Sequence, residues 1–192
     1  MTVHAVKPFQ IFNEKTAPEA SKNNLISAKE AFGLIPNVEG VMAQAPTLLT
    51  SYMVGWDQFN QNSLSLKEKQ VVYQAANFEN NCEYCMPWHT LLAEQSGMSD
   101  DDVEALRNGS PLSDIKLEAL RLFTRDFLRT RGSIEPYALS AFFDAGYGEQ
   151  QALEVVLGLA VKTMSNYTNA IAQTPLDSVA KHKQWKKPSL RG

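Results

Sequence analysis

Apolar residues recur at intervals of three and four through nearly the whole chain, and alternating runs of β-branched residues are missing, so the period is that of helices. An all-α fold follows. Helices are expected over about 17–32, after Pro46, over about 66–80, up to Gly97, from a Ser99 cap to about 107, over about 114–131, through "SIEPYALSAFFDAG", and over about 149–172. The stretch "FGLIPNVEG" interrupts the pattern through Gly33 and Pro36. On the 66–80 helix Val71, Val72, Ala75 and Phe78 make one apolar stripe, with Lys67, Lys69, Gln74 and Asn77 largely elsewhere. The last helix, with Leu153, Leu157, Ala160, Val161 and Met164, reads as the central core element. Arg121, Arg125 and Arg129, spaced by four, read as a solvated or intersubunit face.

At 192 residues the chain fits one domain, since folded chains near this size remove roughly 70% of their unfolded surface from water. That domain is expected over 1–180, with a core over about 31–177 and a basic tail over 181–192. The tail carries Lys181, Lys183, Lys186, Lys187 and Arg191 and reads as a solvated segment, with docking to an acidic partner as the alternative. Eighteen basic against twenty-one acidic residues, a net charge of −3, argue against nucleic-acid binding. The start "MTVHAVKPFQIFNEK" has no basic segment followed by an apolar stretch, and long uncharged runs are missing, so a cytoplasmic protein without membrane spans is expected.

The chemistry concentrates in "NNCEYCMPWH", which holds the only two cysteines, Cys82 and Cys85, and one of three histidines, His89. In a reducing compartment such a pair is more often catalytic or metal-binding than structural. With a helix starting at Asn81 or Cys82, Asn80 and Asn81 sit where caps belong and Pro87 falls early. Residues three apart then have α-carbons about 5 Å apart, within disulfide range, but β-carbons roughly 5 to 6 Å apart against about 3.8 Å in a relaxed bridge. A closed bridge would be strained and easily reduced. His89, four residues past Cys85 on the same face, is that thiol's natural partner, and with the helix N-terminus it would lower a pKa of about 8.5 toward 7. Leu92 continues this stripe, so the groups are expected at the mouth of an apolar pocket that favours an organic peroxide or a lipoyl-type dithiol.

Two other readings of the cysteines stay open. They are buried inert thiols, or zinc ligands with His89; the other histidines, His4 and His182, lie in expected tails, so a fourth ligand is hard to supply. A weak internal echo also lays "QVVYQAANFENNCEYC" over "EVVLGLAVKTMSNYTN"; it would relate two helical hairpins by a pseudo-twofold, one with the cysteines and one with Asn166 and Asn169.

Over about 31–177, "LSLKEKQVVYQAANFENNCEYCMPWH" and the later "GLAVKTMSNYTNAIAQTPLD" resemble the carboxymuconolactone decarboxylase superfamily in its alkylhydroperoxidase D-like (AhpD-like) branch. The resemblance implies an all-α bundle of helical hairpins, assembly into trimers or hexamers, and peroxiredoxin-type reduction of hydroperoxides through a redox-active Cys82–Cys85 disulfide. No bound cofactor or metal is implied; an external thiol or lipoylated partner protein re-reduces the pair. Carried over by position, Cys85 attacks the peroxide, Cys82 resolves, and His89 belongs to a proton relay. The family's relay glutamate falls on Gln70, which neither takes nor gives a proton, and a histidine of some members falls on Tyr84. Glu79 is a possible substitute for the missing carboxylate or an ordinary exposed charge, and Tyr84 either donates to a peroxide oxygen or packs. The alternatives are a dithiol–disulfide exchange or redox-sensing protein without peroxide turnover, and a decarboxylase-like or structural member.

Overall fold

The computed structural model describes residues 8–188, and among them every regular element is helical. The helices are α1 (Glu19–Phe32), α2 (Asn37–Met42), α3 (Pro46–Asn60), α4 (Leu66–Glu79), α5 (Cys85–Gln95), α6 (Asp100–Asn108), α7 (Ile115–Thr130), α8 (Pro136–Asp144) and α9 (Glu149–Ala172), followed by a 3-10 segment, Ser178–Lys183. Most boundaries carry local signals. Ser65 and Glu68 form a capping box on α4, Ser99 and Asp114 cap α6 and α7, and proline opens α3 and α8.

The central helix is α4, which packs against α5, α6, α7 and α9. Every residue from Val71 to Phe78 is buried, as is Lys69. The expected single stripe is therefore corrected: Gln74 and Asn77 lie inside because neighbouring polar groups satisfy them, Gln74 donating to Thr90 and Asn77 accepting from Asn166 at 3.0 Å.

The last helix is correspondingly less central than its composition suggests. Leu153, Val156, Tyr167 and Ile171 are exposed, while its buried face carries Lys162, Ser165, Asn166 and Asn169. The arginine row is not a common solvated face either. Arg121 is buried in a 2.6 Å ion pair with Glu118, and Arg129 pairs with Glu79.

Two stretches expected to be irregular are structured. Part of "FGLIPNVEG" forms α2, with Pro36 at its N-cap. Part of the segment read as a solvated tail packs down: the 3-10 segment lies on α5, Trp185 is buried with Phe78 and Met86 and donates to the Arg107 carbonyl at 2.8 Å, and Lys183 pairs with Glu94. Burial of an indole with its N–H satisfied outweighs the preference of the neighbouring lysines for water. The core thus extends past 31–177 at both ends. His4 and Arg191 lie outside the described residues.

Gly158 sets the spacing between α9 and its neighbours, because a Cβ there would lie 2.6 Å from the Phe59 ring and 2.9 Å from Val72. Gly158→Ala must push α9 away from α3 and α4. It is expected to cost about 1–3 kcal/mol in urea unfolding despite the better helix propensity of alanine.

Candidate functional site

Cys82 lies just ahead of α5, its carbonyl accepting from the Met86 amide at 3.0 Å. Asn80 ends α4, Asn81 takes a left-handed conformation (φ 51°), and the amides of Asn81 and Cys82 donate back to the carbonyls of Phe78 and Asn77 at 3.2 and 2.9 Å. This is the Schellman arrangement. Asn80 and Asn81 therefore close α4 and do not cap α5, which corrects the expected start. Cys85 is the first residue of α5, and Pro87 stays in its first turn.

Both cysteines are free thiols and buried. The Cys85 amide donates to Cys82 Sγ at 3.2 Å, and Asn169 Nδ2 lies 3.2 Å from Cys85 Sγ and 3.9 Å from Cys82 Sγ. Ser165 Oγ lies 3.9 Å from Cys85 Sγ. Burial would raise the Cys85 pKa, but the Cys82 thiol, the Lys162 ammonium, Ser165 and Asn166 outweigh it and bring it below the ordinary thiol value. Cys82 goes the other way, raised because its S–H is engaged by Cys85 and because it is buried. The N-terminus of α5 adds to the preference for charge on Cys85. Of the two thiols Cys85 is therefore the more acidic.

His89 is not the direct partner of Cys85. Its Nδ1 is 2.9 Å from Gln70 Oε1 and its Nε2 is 3.0 Å from Lys162 Nζ, with the ring packed against Tyr73 and Trp56. An ammonium only donates, so Nε2 accepts and Nδ1–H donates to the glutamine oxygen. Burial and the adjacent Lys162 push the His89 pKa well down, leaving the imidazole neutral. Gln70 thus holds the histidine tautomer without carrying a proton, and the cation acting on Cys85 is Lys162.

Lys162 is 1% exposed. Sequence reasoning quoted it without giving it a role, although it is the only charged residue between Glu154 and Asp177. Glu39 was missed in the same way, being the only charged residue between Glu30 and Asp57. It is 4% exposed on α2, its Oε2 has no hydrogen-bond partner, and burial, with Asp177 and Cys85 nearby, raises its pKa to about 8. An isolated charge in an otherwise uncharged stretch was the available signal for both.

Cys85, His89, Lys162 and Glu39 line one cleft, whose apolar walls include Phe32, Trp56, Trp88 and Leu92. Phe32 sets its edge against both indoles, 6.3 Å from Trp56 and 6.0 Å from Trp88. Cys82 instead lines a second, polar groove with Asn81, Glu83, Asn166 and Asn169. Tyr84 borders both, but its hydroxyl donates to Asp177 at 2.5 Å and accepts the Val38 amide at 3.2 Å. Asp177 also accepts from Trp88 Nε1 at 2.9 Å, so it ties the cleft wall to the chain after α9. Glu79 is bound by Arg129 at 2.9 and 3.0 Å away from the thiols, so it does not replace the relay carboxylate. His182 lies by Glu94 and Arg107, and among the described residues no three His, Cys, Asp or Glu side chains are grouped to hold a metal. The echoed segments do meet, with Asn169 turned to the thiols and Asn166 to Asn77 and Asn80.

Two outcomes follow from these charges. With Lys162 in place, Cys85 is expected to alkylate with iodoacetamide at pH 6 nearly as fast as at pH 8, where an unperturbed thiol would lose roughly two orders of magnitude. Lys162→Met should slow the pH 6 rate by about tenfold or more, followed by peptide mass spectrometry. For Glu39, the folded state keeps a proton up to about pH 8 that the unfolded chain releases near its ordinary value of 4.5, so the unfolded state binds fewer protons in that window and stability falls as pH rises. Glu39→Gln removes this slope. Its Tm advantage over wild type should grow from pH 5 to pH 8.

Residues 45–125, which run from the start of α3 into α7, match the carboxymuconolactone decarboxylase family model. No curated protein matches the chain closely enough in sequence to count as a relative. Its fold is that of a peroxidase-related protein with the alkylhydroperoxidase AhpD core from Ralstonia eutropha (TM-score 0.79, 14% identity, 92% of this chain and 95% of that one). A peroxidase-related protein from a Silicibacter species is similar (TM-score 0.76, 16% identity, 95% and 99% covered), as is the debrominase Bmp8 in complex with 2,3,4-tribromopyrrole (TM-score 0.75, 13% identity, 95% and 97% covered). The family match spans the segment that carries both thiols and His89, and the fold likeness covers nearly the whole chain. Residues 45–125 are thus similar to the carboxymuconolactone decarboxylase family, and the chain as a whole has the AhpD-like fold.

Proposed function

We propose that this protein is a thiol-dependent peroxidase of small organic hydroperoxides. The observation that carries the reading is the placement of two buried free thiols side by side, Cys85 facing an apolar cleft with its pKa lowered and Cys82 facing a polar groove with its pKa raised. Cys85 thiolate attacks the terminal peroxide oxygen to give a sulfenic acid, which Cys82 captures as a disulfide with loss of water. An aromatic cleft suits an organic peroxide better than a hydrated one. The polar groove beside Cys82 supports re-reduction by an external thiol or a lipoyl-type dithiol from that side.

In the reduced protein both thiols are expected to disappear as an intramolecular disulfide after one equivalent of cumene hydroperoxide. A sulfenic acid should be trapped in Cys82→Ser, and Cys85→Ser should not react. Survival of both thiols in wild type, with rapid oxidation by a small disulfide, would instead favour the exchange reading.

One observation favours a second reading, reductive dehalogenation of a small aromatic ring: Phe32, Trp56 and Trp88 give the cleft aromatic walls, and the debrominase fold is shared. Bromide release from 2,3,4-tribromopyrrole with excess dithiol separates it from the peroxidase reading. Assembly into a homo-oligomer is also proposed. Leu153, Val156, Tyr167 and Ile171 form an exposed apolar stripe along α9, and a second copy would cover it. Leu153→Asp with Ile171→Asp is expected to reduce the mass in sedimentation equilibrium to that of one chain.

A further inference from the structure

A thiolate that attacks a hydroperoxide releases an alkoxide, which needs a proton at once. The groups around Cys85 are mostly committed. His89 spends its one N–H on Gln70, and Tyr84 donates to Asp177. Gln70 has no titratable proton, and Lys162, engaged by His89, is the cation that balances the thiolate.

Glu39 is the exception. It lines the same cleft as Cys85, it is nine-tenths buried and more, and its Oε2 lacks any partner. Its place depends on Gly40: the Phe12 amide donates to the Gly40 carbonyl at 3.0 Å, and a Cβ at position 40 would lie 2.7 Å from Ile11 and 2.8 Å from the Phe12 carbonyl. Chain before α1 thereby lies across α2 and shields it from water. The titratable groups that share the cleft with Glu39 are Tyr52, Tyr84, Cys85, His89 and Lys162, and the charge of Asp177 also acts on its carboxyl. Among them Lys162 is the one cation, and the Cys85 thiolate already answers it; a second anion would be buried without compensation.

We propose that Glu39 is a catalytic acid, the neutral carboxyl that gives its proton to the oxygen leaving from Cys85; the inference rests on the peroxidase reading. The sulfur–oxygen bond forms as the oxygen–oxygen bond breaks, so Cys85 becomes a sulfenic acid and the peroxide is reduced to an alcohol carrying the Glu39 proton. Cys82 then displaces hydroxide from the sulfenic acid, its own proton leaving with that hydroxide as water. An external dithiol closes the cycle. Of its two protons one returns to Cys82 and one to Glu39, and Cys85 is released as thiolate.

A proton donor is needed in proportion to the basicity of the leaving oxygen, which gives a readout that mere packing would not move. Single-turnover thiol oxidation is measured with tert-butyl hydroperoxide, which expels a strongly basic alkoxide, and with peracetic acid, which expels acetate. Glu39→Gln, a neutral isostere, is expected to slow the first by about 100-fold or more and the second by less than about fivefold. Tyr52→Phe, which removes a second buried acidic hydrogen of the cleft, should keep the wild-type ratio between the two peroxides. Equal losses with both peroxides, no loss with either, or a changed ratio in Tyr52→Phe alone would overturn the assignment. Failure of wild type to oxidise with either peroxide would bring down the peroxidase reading itself, and the assignment with it.

Discussion

The site is organised around one buried cation. Lys162 reaches from α9 into an interior where an uncompensated ammonium would cost several kcal/mol, and the neighbours it meets are of the kind that make such a charge tolerable. His89 accepts from it and stays neutral, and the Cys85 thiol has its pKa lowered by it. This arrangement also gives a physical account of the glutamine at position 70. A carboxylate there would hydrogen-bond the same imidazole nitrogen but add a second anion to a pocket with one cation, competing with the thiolate. Gln70 offers the oxygen without the charge.

The fold serves this charge through polar packing. The facing surfaces of α4 and α9 are joined by amides, Asn77 and Asn80 to Asn166, with Asn169 at the thiols. A hydrogen-bonded contact of this kind fixes register more strictly than an apolar one, because a slip leaves buried amides unpaired. Gly158, one turn before Lys162, lets α9 approach α3 and α4 closely. Closure of α4 by Asn81 then turns the chain so that Cys82 lies off the helix and beneath the first residue of α5. The two sulfurs consequently face different surroundings, Cys85 an apolar cleft and Cys82 a polar groove. Such a division suits a nucleophile that must meet an organic substrate and a second thiol that must meet a reductant.

Much of this was legible in the sequence. Periodicity, caps and prolines located α1, α3, α4, α6, α7 and α9 within a few residues, because these signals act over one or two turns and need no partner. The cysteine spacing with His89 marked the site for the same reason, since the reacting groups lie within one local segment. Burial was less legible. Gln74, Asn77 and Arg121 look like surface residues and are buried, while Leu153 looks like core and is exposed, because burial depends on which element lies opposite.

By itself, then, the sequence determined the all-helical class, the pair of thiols at the head of a helix and the absence of a carboxylate at position 70. Only the tertiary structure decided which groups act on those thiols. Lys162 and Glu39 come from helices far from Cys85 in sequence, and α2 was not recognised at all. Each appeared as a single charge in an otherwise uncharged stretch, and whether such a charge faces water or a sulfur is fixed by long-range packing. The electrostatic cost of burial makes that distinction, and it exists only once the helices have met.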